Sequence, residues 1–125
     1  MLLNFQGDKP IYVQLAESIE DGILRGVYVE EGQVPSTTEL AVSLKINPAT
    51  AAKGVSLLTD EGIVYKKRGL GMFVSAGARQ IILEKRRAAF YREYVKALLE
   101  EAAKLGITRA QLIDMLERSG DDVRN

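Results

Sequence analysis

Two helix starts crowd the middle of this chain. Ser36 is followed three residues later by Glu39, the spacing of a capping box, in which hydroxyl and carboxylate each satisfy a backbone N–H of the first turn. Asn47-Pro48 is a second start, with asparagine as N-cap and proline, already fixed at helical φ, as the first helical residue. Between them there is room only for a short helix through Leu40, Ala41 and Leu44 and a tight turn at Lys45-Ile46. The middle of the chain is therefore two helices joined by a tight turn.

The flanks add elements on both sides. Ile11, Leu15, Ile19 and Ile23, with Val13, Ala16 and Leu24 beside them, recur at helical spacing between Pro10 and Gly26. An extended link, Val27 to Val34, follows and is broken by Gly32. The helix opened at Asn47 runs through Ala51, Val55 and Leu58. It closes at Glu61-Gly62, with Ile63 as the apolar contact beyond the glycine. Val64–Lys67 and Met72–Val74 read as two short strands joined by Arg68-Gly69-Leu70-Gly71.

From about Gln80 to Leu105 the pattern is one long helix of about 39 Å, too long to be covered by the small domain before it. Gly106 ends it, and Thr108 with Gln111 caps a last helix carrying Leu112, Met115 and Leu116. The polar stretch from Ser119 to Asn125 is expected to fray. The fold class is mainly α with a small β-hairpin: a winged helix-turn-helix domain over residues 8–77, two C-terminal helices over 78–120, and an N-terminal extension over 1–7. Two readings of that extension stand, since Asn4-Phe5-Gln6-Gly7 resembles the end of a cleavage tag and Leu2-Leu3 reads equally as native.

Composition narrows the chemistry. The 125 residues contain no cysteine and no histidine, so disulfides, thiol nucleophiles, Ser-His-Asp triads and the usual N/S zinc sites are excluded. No constellation of residues points to an enzyme or to a cofactor. No apolar run approaches a membrane span and no signal pattern opens the chain, so a soluble, cytoplasmic protein is expected. Net charge is zero, but its distribution is uneven: residues 1–35 carry two basic and six acidic side chains, whereas residues 36–77 carry five basic and three acidic. Lys66-Lys67-Arg68 is the sharpest positive point.

Helix, helix, tight turn, helix, hairpin is the order of a winged helix-turn-helix, whose third helix enters the major groove while the hairpin flanks it. Asn47, Pro48, Ala49, Thr50 and Lys53 lie at the N-terminal end of that helix, where free N–H groups and the dipole favour phosphate. Ser36, Thr37 and Thr38 offer a second set of donors. Lys67, Arg68, Gly69 and Gly71 make a basic hook without bulk, suited to a minor groove.

The stretch from Pro10 to Ser75 resembles the DNA-binding domain of GntR-family transcriptional regulators. The pieces that carry the likeness are PIYVQLAESIEDGILRG, VPSTTELA, INPATAAKG, LLTDEGIV and RGLGMFV, in that order. The short helical remainder resembles the YtrA subfamily, and that resemblance implies dimerisation through the two C-terminal helices and control of transport operons. Three positions depart from the pattern: Thr38 and Ala52 stand where relatives usually carry arginine or, at 52, another polar residue, and Met72 stands where threonine is common. A different operator or a lower affinity follows from such losses.

Other features carry a plainer reading beside the functional one. Gly69-Leu70-Gly71 alone is a tight hairpin; beside Arg68 and the preceding helices it reads as a wing. Lys85-Arg86-Arg87 reads as a solvated face, with contact to DNA phosphate as the lesser alternative. Phe90, Tyr91, Tyr94, Leu98, Leu105, Leu112 and Leu116 read as a dimer interface, with a ligand pocket as the lesser alternative. The expected protein is a homodimeric regulator, most simply a repressor, that binds double-stranded DNA at an inverted repeat. A small-molecule effector is left unassigned. The rival class is a winged-helix interaction module that binds protein and not DNA.

Overall fold

The structure, a computed structural model, describes residues 3–122 and divides into two compact units after Lys85. The first unit contains α1 (Ile11–Leu24), β1 (Gln33–Val34), α2 (Thr37–Leu44), α3 (Pro48–Asp60), β2 (Val64–Lys67), β3 (Gly71–Val74) and the first part of α4 (Ala78–Phe90). The helix ends are those the local chemistry dictates. Ser36 Oγ accepts from the Glu39 N–H at 3.1 Å and Glu39 Oε1 accepts from the Ser36 N–H at 3.0 Å. Asn47 Oδ1 caps Ala49 N–H at 2.7 Å. Gly62, at φ 76°, turns the chain out of α3 so that the Ile63 N–H reaches Leu58 O.

The core forms where these helices turn their apolar faces together: Leu15 and Ile19 from α1, Leu40 from α2, Ala51 and Leu58 from α3, and Val64 and Val74 from the strands. Helices α1 and α3 approach closely because Gly54 has no side chain. A Cβ there would lie 2.9 Å from both the Tyr12 carbonyl oxygen and a Leu15 methyl. Ala78 and Ile82, at the start of α4, are fully buried in this same core.

Two expectations are corrected here. The link before α2 is not merely extended. Gln33 and Val34 form β1, pairing antiparallel with Phe73 and Met72 of β3, so the hairpin gains a third strand in a sheet ordered β1-β3-β2, with β3 in the middle. Lys85 does not belong to a solvated face. Its ammonium bonds the carboxylate of Glu20, which is 1% exposed, and also Glu61 at 3.0 and 3.2 Å. A buried carboxylate in an apolar core demands such a partner. Burial pulls the Lys85 pKa down, but bonds and charges from Glu20 and Glu61 outweigh it and hold it above the ordinary lysine value.

The N-terminal stretch is tied to α1: Asn4 N–H donates to Gln14 Oε1 at 2.7 Å, and Gln14 Nε2 donates to Asn4 O at 2.8 Å. Residues 1 and 2 of the expected extension lie outside the described residues.

The second unit holds the end of α4, a π-helical turn (Tyr91–Val95), α5 (Lys96–Lys104) and α6 (Arg109–Asp122). The long helix read from the sequence is thus interrupted by a wider turn, just past Ala88-Ala89. Gly106, at φ 70°, closes α5, and Ile107 N–H returns to Ala102 O at 2.9 Å. Thr108 and Gln111 make the anticipated capping box, at 3.1 and 2.9 Å. Helix α6 continues through Ser119, whose hydroxyl donates to Met115 O at 2.7 Å, to Asp122; the frayed tail expected from Ser119 is corrected to that extent. Residues 123–125 lie outside the described residues.

Candidate nucleic-acid interface

Three elements of the first unit converge on one surface. The apolar face of α3 (Ala51, Val55, Leu58) is buried, which turns Ala52, Ser56 and Thr59 outward along one ridge. This ridge, the start of α2 and the wing strands enclose an open cleft of about 450 Å³, lined by Thr37, Thr38, Ala52, Ser56, Lys66 and Met72 among others. Ser36, Thr37 and Thr38, singled out from the sequence, thus meet α3 and the wing in one place.

Lys53 lies on the other shoulder of α3, exposed to solvent, with its ammonium 4.2 Å from the centroid of the Tyr12 ring on α1. The ring restrains a flexible charge without neutralising it. Asn47, Pro48 and Ala49 are exposed at the start of α3, and Thr50 is half-buried behind them. Since Asn47 Oδ1 is committed to its cap, the amide Nδ2 is the part of that side chain left for a phosphate or base.

The wing is braced from two sides. Gly69 (φ 78°) and Gly71 (φ 115°) adopt conformations that other residues rarely tolerate. Gln33 Nε2 donates to Leu70 O at 2.9 Å, and a Cβ on Gly71 would sit 2.7 Å from that nitrogen. Arg68, Gly69 and Leu70 are exposed at the tip. Lys67 departs from the free hook expected of it: it is half-buried, its ammonium 4.3 Å from the Phe73 ring centroid and 5.8 Å from that of Tyr65. At the tip of the wing the exposed charge is that of Arg68, with Lys66 exposed on β2 behind it.

Ala52, Ser56, Thr59, Lys66 and Met72 were missed as a set in the sequence. The spacing 52, 56, 59 marks a helix ridge and was available as a signal. The apposition of Lys66 and Met72, partners across β2 and β3, depends on the sheet register.

In the second unit the apolar stripe is open. Phe90, Tyr91, Tyr94, Leu98, Leu105 and Leu116 are all exposed, and the Phe90 and Tyr94 rings stand 5.6 Å apart. Leu112 is different: it is buried inside its own unit. Ile113 and Met115 add to the exposed apolar surface.

A recognition helix, a capped helix before it and a basic, glycine-hinged wing define a winged helix-turn-helix of the nucleic-acid-binding type. The family model described as bacterial regulatory proteins, gntR family, matches residues 11–74, and the chain belongs to the GntR family of transcriptional regulators. It is 29% identical over 115 residues to the HTH-type transcriptional repressor YtrA of Bacillus subtilis, covering 92% of this chain and 88% of that protein. A GntR-family regulator structure from Bacteroides thetaiotaomicron is similar over 90% of this chain and 98% of its own, with 34% identity and a TM-score of 0.73. The DNA-binding domain of AraR, solved in complex with operator ORX1, is similar over 60% of this chain and 96% of its own, with 28% identity and a TM-score of 0.54. No helix among the described residues is long and apolar enough to cross a membrane.

Proposed function

We propose that this protein is a homodimeric repressor that binds an inverted-repeat operator and acts by binding alone, without catalysis. The observation that carries the reading is the convergence of the α2 start, the α3 ridge and the wing, with Lys66, on one open cleft. The likeness to an operator-bound AraR domain supports DNA as the ligand, and the likeness to the YtrA repressor supports the direction of regulation. Residues 8–77 carry the DNA-binding elements and residues 78–120 the dimerisation region, with residues 78–85 of α4 packed into the first unit.

Each protomer presents α3 to one half-site. Ser36, Thr37, Thr38, Asn47 and Thr50 donate to phosphate or base edges, Lys53 and Arg68 supply charge, and Gly69 and Gly71 allow the wing to approach the minor groove. Self-association uses Phe90, Tyr91, Tyr94, Leu98, Leu105 and Leu116, while Leu112 is buried within its own unit. Their exposure supports this, since a stripe of large apolar side chains is costly to leave in water. Occlusion of polymerase by the bound regulator is the simplest mechanism of repression.

Selection from a randomised duplex library, followed by transcription in vitro from a promoter carrying the selected site, tests the reading. An inverted repeat and a lowered transcript are the results expected. Enrichment of a single half-site would contradict the dimer, and a raised transcript would contradict repression.

A further inference from the structure

We infer that the cleft between the α2 start, the α3 ridge and the wing reads thymine through its 5-methyl group, so that this part of each half-site is specified by thymine and not by guanine. The inference rests on the DNA-binding reading above and names what that surface selects.

Bases are distinguished in the major groove by a small vocabulary. Arginine or lysine pairs with guanine, asparagine or glutamine with adenine, carboxylates accept from cytosine, and apolar groups contact the thymine methyl. Among the described residues, the lining of this cleft includes no guanidinium, carboxamide or carboxylate. Two of its hydroxyls already have bonds within the protein: Ser36 Oγ accepts from Glu39 N–H at 3.1 Å, and Thr59 Oγ1 donates to Val55 O at 3.1 Å.

The remaining hydroxyls, on Thr37, Thr38 and Ser56, can serve any base and select none, so what the cleft offers to tell bases apart is carbon: Ala52 on the outer ridge of α3, the methyl of the exposed Thr38, and the half-buried Met72. Lys66, the charged residue of the lining, stands on β2 opposite Met72 of β3, at the wing side of the cleft, and is placed there for a backbone phosphate. A methyl group entering such a surface leaves water without leaving any donor or acceptor unpaired.

The test begins with the duplex selected by the full-length protein. Each thymine in one half-site is replaced in turn by deoxyuridine, which lacks only the 5-methyl group. One or two positions per half-site should lose about fourfold in affinity, the effect of returning one methyl group to water. Ala52→Gln, at an exposed position, should move the preference at the sensitive position from thymine to adenine. Specific binding that is indifferent to every deoxyuridine, or a guanine preference that disappears in Lys66→Ala, would overturn the thymine assignment and leave DNA binding standing. Failure to bind any duplex would remove the DNA-binding reading and this inference with it.

Discussion

The Lys53 ammonium lies 4.2 Å from the centre of the Tyr12 ring, joining the outer edge of α3 to the first turn of α1. On the proposed reading of Lys53 as a phosphate contact, Tyr12 belongs to the DNA-facing surface although α1 is otherwise a core helix. The contact holds a lysine that would otherwise sample many rotamers, lowering the entropy lost when it meets a phosphate. Tyr12→Leu should keep the apolar bulk and weaken operator binding by about two- to fivefold, the range of an exposed cation–π contact. Tyr12→Phe should bind as the parent does. Titration of the selected duplex with all three proteins checks this, and equal affinities would show that the ring does not position Lys53.

Breaking the Lys85 contact should unfold the first unit more readily. Lys85→Met removes the ammonium that bonds Glu20, a carboxylate buried in the core. Since Lys85 is itself partly exposed and solvent softens the loss, about 2–3 kcal/mol is expected in urea denaturation. The pH dependence has a definite sign. The folded pKa of Lys85 is raised above the ordinary 10.5, so its contribution is complete below that value and is lost as pH rises through the raised pKa. The parent should therefore lose stability relative to Lys85→Met only in strongly alkaline solution.

The capping box of α2 answers at the opposite end of the pH scale. The Ser36 backbone N–H, followed by its side chain, holds the Glu39 carboxyl below the usual carboxylate range. Its contribution is present above pH 4.5 and falls away as pH drops through the lowered pKa. Ser36→Ala should cost about 1 kcal/mol at neutral pH. Glu39→Gln, which retains a capping side chain without the charge, should flatten the acid dependence in thermal denaturation.

How much of this was legible in the sequence follows from the range of each interaction. The boxes at Ser36-Glu39 and Thr108-Gln111 and the cap at Asn47 are bonds between residues two or three apart, and the sequence displays them directly. Strand β1 was not legible, because Gln33 and Val34 have no strand-like pattern and become a strand only by meeting Phe73 and Met72. Lys85 sits in a basic triplet that looks solvated; its partners Glu20 and Glu61 are 65 and 24 residues away, and only the fold joins them. For the same reason the outward ridge of α3 was visible as spacing, whereas the cleft it forms with the wing was not.

The stripe on the second unit predicts self-association. Tyr94→Glu/Leu98→Glu places two carboxylates among exposed apolar side chains, where pairing with a second copy would strip them of water at several kcal/mol each. Sedimentation analysis should show the parent as a dimer and the variant as a monomer, with self-association weakened on the order of a hundredfold or more. A parent that sediments as a monomer at micromolar concentration would contradict the proposed seam.

The most direct test of the central claim is the affinity of the parent and of Lys53→Ala/Arg68→Ala for the selected duplex across a range of salt concentrations. If a dimer makes about eight phosphate contacts, log affinity should fall against log salt with a slope of about −7. The variant should bind far more weakly and with a shallower slope, having lost up to four of those charges per dimer. A parent whose binding ignores salt, or a double variant that binds as the parent does, would contradict the claim that this surface holds DNA.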